Sequence, residues 1–200
     1  MNDRAPQIYV IAGPNGSGKT TSAKTLLPEL LNCHEYVNAD SVAAALSPFN
    51  PDAVAMQAGR LMLERIHYLA GQGVDFAFET TLSSKVFIKF LNECKNKGYK
   101  VDILFLWLSS PELAIQRVRT RVEEGGHDIP EDVIRRRYYG SICNFFTAYQ
   151  KIATNWFLYD NREKESQLIA SKIENANVNI TDELLWKVIN EGLKNETNER

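Results

Sequence analysis

At 200 residues, 44% hydrophobic and 24% charged, the chain is long enough for one domain with a real core and too apolar to be disordered. Its net charge of -2 supplies no global basic field, which argues against a long nucleic acid as partner. No run nears the roughly 18 apolar residues of a membrane helix. Met1–Arg4 has no signal-peptide character, and Cys33, Cys94 and Cys143 lack C-x-x-C spacing, so a reduced, cytoplasmic protein without disulfides or zinc is expected.

In chain order, Gln7–Ala12 is a short β-branched apolar run and predicts a buried strand. A helix follows from Gly18 to about Leu27, where Pro28 is expected to stop it. Glu35–Asn38 predicts a second strand and Ser41–Leu46 a helical turn, for which Asp40 suits the N-cap position. Asp52–Ala70 carries a helical apolar stripe ending at Gly71, and Val74–Phe78 a third strand that closes on Glu79-Thr80-Thr81. Lys85–Lys97 is helical and Val101–Leu108 a central strand. Ser109–Glu112 starts a helix that runs to about Val122. After the loop Glu123–Pro130 a helix spans Glu131–Ala153. Trp156–Tyr159 and Gln167–Ser171 are late strands, Asp182–Leu193 is a last helix, and Lys194–Arg200 a frayed tail. Strands alternating with helices predict α/β architecture: a three-layer αβα sandwich of P-loop NTPase type, with a mostly parallel central sheet, as a single domain over 1–200.

Gly13-Pro14-Asn15-Gly16-Ser17-Gly18-Lys19-Thr20 fits G-x-x-x-x-G-K-[ST] and lies between the first strand and first helix. Its glycines let successive backbone N–H groups turn toward an anion, and the helix N-terminus adds its positive dipole end. Residues Gly13 to Thr21 are therefore the expected ATP-binding segment, Lys19 meeting the β- and γ-phosphates and the Thr20 hydroxyl joining a Mg²⁺ shell. The strand Val101–Leu108 ends in serines and supplies no acid. Asp40 and Glu79 instead close the second and third strands, where ligands of open α/β sheets gather. A carboxylate beside a γ-phosphate can take the proton of an incoming hydroxyl.

Arginines flank the loop after the fourth strand: Arg117, Arg119 and Arg121 before it, Arg135, Arg136 and Arg137 after it. This predicts a mobile lid over about 121–137, with Arg121, Arg136 and Arg137 as candidates for the transferring phosphoryl group; a solvated charged surface is the alternative reading. His127 suits either a phosphate contact or the turn. Asp160-Asn161 reads as an ordinary polar turn, and Trp107, Trp156 and Trp186 as packing residues.

IAGPNGSGKTT (Ile11–Thr21), VNAD (Val37–Asp40), AGRLML (Ala58–Leu63), FETTL (Phe78–Leu82), RVEEGGHDIP (Arg121–Pro130), RRRY (Arg135–Tyr138) and YDN (Tyr159–Asn161) together resemble the zeta toxin family of P-loop kinases. The resemblance implies ATP- and Mg²⁺-dependent phosphorylation of a hydroxyl of UDP-N-acetylglucosamine. It also implies Asp40 as general base, Glu79 and Thr81 as acceptor contacts, and a toxin role with a protein antitoxin as partner. Ser83 stands where the family's sugar-nucleotide arginine would be, so a nucleoside or RNA-end kinase and a regulatory ATP-binding module stay open.

Overall fold

The computed structural model describes residues 4–126 and 128–198. Among them, seven strands form one sheet in the order β2-β3-β1-β4-β5-β6-β7. These strands are β1 (Gln7–Ala12), β2 (Tyr36–Val37), β3 (Phe76–Thr80), β4 (Lys100–Trp107), β5 (Asn155–Asp160), β6 (Gln167–Ile173) and β7 (Asn179–Ile180). The strands from β2 to β5 pair in parallel, while β5–β6 and β6–β7 pair antiparallel. The hydrophobic run of β4 lies at the middle of the sheet, as its sequence predicts. The α/β sandwich with a mostly parallel sheet is thus the observed fold.

Strand alternation decides which helices cover which face. From β1, Ile8, Val10 and Ala12 point into the larger core, and Tyr9 and Ile11 into the smaller one. The larger core takes apolar stripes from α3 (Ala55–Gln72), α4 (Phe87–Asn96), α5 (Pro111–Glu123), α6 (Glu131–Asn144) and α8 (Glu183–Asn198). The smaller one is closed by Ala23 of α1 (Lys19–Thr25), by Leu27 and by Cys33. Cys33 and Cys94 are both buried, one in each core. Each fully buried Ile, Leu or Phe contributes about 1.5–3 kcal/mol, so the larger core carries most of the stability. Trp156 is buried there, with Trp186 of α8 stacked on it at 6.1 Å between centroids.

Several boundaries correct the sequence reading. Pro28 does not end the first helix: α1 passes into a π-helical turn over Leu26–Leu30, closed by Leu31 N–H on the Leu26 carbonyl at 3.0 Å. The wider turn accommodates a residue that lacks its own N–H donor. A second such turn, Phe145–Tyr149, joins α6 to α7 (Gln150–Ile152). The α3 helix runs past Gly71 to a cap at Gly73, and the last helix extends beyond Leu193 to Asn198. The third strand begins at Phe76 and takes in Glu79 and Thr80. The short strand β7 was not foreseen; two residues leave no periodicity to read. Among the described residues, no helix is long and apolar enough to cross a membrane.

Candidate functional site

The glycine-rich loop turns sharply at Gly13, whose φ is 141°. A Cβ at Gly13 would lie 2.4 Å from the Leu106 carbonyl oxygen of β4 and 2.7 Å from Ser17 Oγ, so any larger residue would push the loop off the sheet. Among the described residues no side chain caps α1, which leaves its first N–H groups without a capping acceptor. Lys19 folds back over the loop, its Nζ donating to the Pro14 carbonyl at 2.9 Å. Asn15 is buried at the same place, and its Oδ1 has no hydrogen-bond partner among the described residues. Turned by half a rotation, that amide would offer N–H groups instead.

Glu79 closes β3 directly beside this loop. Its Oε2 accepts from Thr20 Oγ1 at 2.8 Å, Tyr36 OH at 2.5 Å and Asn38 Nδ2 at 2.8 Å, and its Oε1 stands 3.9 Å from Lys19 Nζ. Glu79 therefore meets Lys19 and Thr20, and it also lines the cavity that Thr81 lines. Burial pulls the Lys19 pKa down from its ordinary value, opposed by the charges of Glu79 and Asp40. Burial and the Glu79 carboxylate together push the Tyr36 phenol up, so Tyr36 stays a neutral donor to Glu79.

The helix α2 (Ala39–Leu46) is capped by Asn38, not by Asp40. Asn38 Oδ1 accepts from the Asp40 N–H at 2.8 Å and the Ser41 N–H at 3.2 Å. This corrects the capping reading of Asp40: it sits in the first turn, its carboxylate spent on no cap, and lines the cavity beside the glycine-rich loop. That cavity, of about 380 Å³, is lined by Asn15, Lys19, Asp40, Glu79, Thr81, Arg121 and Arg137 among others. Met62, Ser83 and Phe87 line it as well. Thr81 and Ser83 share a hydroxyl hydrogen bond of 2.8 Å. The intervening Leu82 has φ 53°, a costly conformation for a side chain of this kind. Asn144 Nδ2 holds that turn by donating to the Leu82 carbonyl at 2.8 Å, and Tyr149 OH by donating to the Ser84 carbonyl at 2.7 Å.

The arginines divide by role. Arg121 and Arg137 line the cavity; burial pulls the Arg137 pKa down, and the Asp40 charge counters it. Arg136 is exposed and outside the cavity lining, as is Thr21. Arg119 pairs with Glu131 and Arg135 with Glu112 on the outer surface. Arg117 donates to the carbonyls of Asn161 and Arg162, at 2.8 and 2.5 Å. His127 lies outside the described residues. The Asp160-Asn161 pair is more than the ordinary polar turn its sequence implies: both residues are buried, Arg162 grips Asp160 through both carboxylate oxygens, and Asn161 Nδ2 donates to the Ser17 carbonyl at 2.6 Å. Tyr36, Asn38, Asn144, Tyr149 and Asn161 were all missed as site residues. Tyr36 had only a strand position beside a motif as signal, Asn38 and Asn161 lay in the VNAD and YDN segments without a role being read for them, and Asn144 and Tyr149 carried none.

Comparison with known proteins agrees with this architecture. A Haemophilus influenzae protein described only as uncharacterized is 30% identical over 126 residues, 63% of this chain and 88% of that protein. The AvrRxo1-ORF1:AvrRxo1-ORF2 complex superposes with TM-scores of 0.76 in crystals with sulphate ions and 0.74 in crystals with ATP, at 20% and 19% identity. Each of those matches covers 94% of this chain, which spans 64% of the length of its counterpart. A structure of the PezAT chromosomal toxin–antitoxin system of Streptococcus pneumoniae gives a TM-score of 0.66 at 17% identity, over 99% of this chain and 88% of that one. At these identities the structural likenesses are ones of fold. The zeta toxin family model matches residues 1–174, and the chain belongs to that family.

Proposed function

We propose that this chain is an ATP- and Mg²⁺-dependent phosphotransferase that moves the γ-phosphoryl group of ATP onto a hydroxyl of a small molecule, a nucleotide sugar such as UDP-N-acetylglucosamine being the acceptor the family suggests. The observation that carries the proposal is the convergence of Lys19, Asp40, Arg121 and Arg137 on a single cavity beside the loop Gly13–Thr20. The start of α1, which carries no side-chain cap, and the buried Asn15 amide, once turned to present its N–H groups, support a ligand rich in phosphate oxygens there. Thr20 and Glu79, oxygen donors 2.8 Å apart, fit a hard cation, and they would hold a Mg²⁺ that neutralises charge on the triphosphate.

In the proposed reaction Asp40 accepts the proton of the acceptor hydroxyl as its oxygen attacks the γ-phosphorus. A new P–O bond forms, the bond to the β,γ-bridging oxygen breaks, and ADP departs with that electron pair. Lys19, Arg121 and Arg137 balance the charge spread over the equatorial oxygens. Thr81, with Ser83, would position the acceptor. Arg136 would join only if the lid moves, because it stands outside the cavity in this conformation. A toxin role in the cytoplasm, restrained by a protein antitoxin, belongs to the same proposal and is supported by the likeness to PezAT.

The test is incubation with labelled ATP, Mg²⁺ and a panel of nucleotide sugars, nucleosides and RNA ends. A labelled acceptor is expected. Asp40→Asn should lower transfer by about 100- to 10,000-fold while leaving ATP affinity near that of the wild type. Transfer undiminished in Asp40→Asn would overturn the assignment of the base. Plain hydrolysis with no labelled acceptor would favour a nucleotide-binding module read by a partner.

A further inference from the structure

A phosphate cradle needs its peptide N–H groups turned inward, and in a trans peptide the carbonyl then points outward from the opposite edge. The Ser17–Gly18 peptide is the critical instance. Ser17 is fully buried, so an outward carbonyl there needs a donor, and a flip of this peptide is easy because residue 18 is glycine. Asn161 supplies the donor, its Nδ2 reaching the Ser17 oxygen at 2.6 Å across 144 residues of sequence.

The amide of Asn161 is itself fixed on every side. The Ser17 carbonyl, an acceptor only, takes the amide nitrogen, and Ser166 Oγ buttresses the other end by donating to Asn161 Oδ1. The Asn161 backbone N–H donates to the Trp107 carbonyl at 3.0 Å, and its carbonyl accepts from Arg117 Nη1 at 2.8 Å. Gly18 completes the fit. It has φ 84°, and a Cβ there would lie 2.8 Å from Asn161 Nδ2, so any side chain would evict the amide.

We propose that Asn161 is a positioning residue that locks the Ser17–Gly18 peptide with its N–H toward the phosphates, and so sets affinity for the polyphosphate and not for the nucleobase. The inference rests on the phosphate-loop reading above. Its test is calorimetric titration of the full chain and of Asn161→Ala, Asn161→Asp and Ser166→Ala with Mg-tripolyphosphate and with Mg-ATP, alongside unliganded thermal midpoints. Asn161→Ala should weaken both ligands by roughly tenfold, the worth of one lost buried hydrogen bond, without a matching loss of secondary structure. Asn161→Asp should weaken both further, because a carboxylate repels the Ser17 carbonyl. KM for ATP should rise while kcat holds, the signature of binding shared by ground and transition states.

If ATP weakens while tripolyphosphate does not, Asn161 acts on the nucleobase and the inference falls. Unchanged affinity for both overturns it equally. Should neither Asn161 variant fold, Ser166→Ala decides: it keeps the amide but removes the buttress on its oxygen, and a severalfold loss for both ligands is expected, no loss being fatal. A wild-type chain that binds neither ligand would instead refute the phosphate-loop reading itself.

Discussion

Lys19 is a buried ammonium whose pKa lies below the ordinary lysine value of about 10.4 because desolvation outweighs the attraction of Glu79 and Asp40. A polyphosphate beside it would favour the charged form and raise that pKa again. Between the free and bound values, binding must therefore take up a proton, and affinity for ATP should be full below the free-state pKa and fall as pH rises through the window. Titrations at alkaline pH in two buffers of different ionisation enthalpy should reveal that proton uptake; identical heats would mean that Lys19 is already fully charged. At this scale the sequence was partly transparent. Lys19, Thr20, Asp40 and Glu79 stand at motif or strand-end positions, and the structure brings them to one side of the sheet because the loop and the strand ends meet there. Tyr36, Asn38 and Asn161 were not legible, since their importance lies in partners 41 or more residues away.

At the level of elements, α2 shows how a cap can serve a site. Asn38 holds the first turn of α2 with its oxygen and Glu79 with its nitrogen, tying the Asp40 backbone to the end of β3. Asn38→Ala should cost about 1 kcal/mol from the cap alone, read as a lower urea midpoint. Asn38→Asp should keep the cap yet set a second carboxylate against Glu79, so it should retain more helix stability but lose more phosphotransfer. Equal behaviour of the two variants would disprove the double role. Elements were legible where periodicity ran long, as in α3 and β4. They failed where backbone hydrogen bonding overrode a local rule: Pro28 was read as a stop, and a π turn carried the chain through it.

Across the whole molecule, the two faces of the sheet are unequally covered. Among the described residues, α3, α4, α5, α6, α7 and α8 all contribute to the larger core, while the smaller depends on α1 and its π turn, the same segment that follows the glycine-rich loop. The parallel strands from β2 to β5 followed from the alternation of strand and helix. The antiparallel return through β6 and β7 was not read, although the connection from Asp160 to Gln167 is too short for a parallel crossover.

Each face also carries one concealed sulfur, and that makes the chain its own stopwatch. Burial raises the thiols of Cys33 and Cys94 to about 11, so neither reacts until its surroundings part, whereas half-exposed Cys143 is modified first and calibrates the reagent. Iodoacetamide time courses followed by peptide mass spectrometry should then time the two faces separately. Saturating ATP should slow Cys33 far more than Cys94, because α1, which follows the proposed phosphate loop, is the shutter over Cys33; equal slowing would mean that the faces part together.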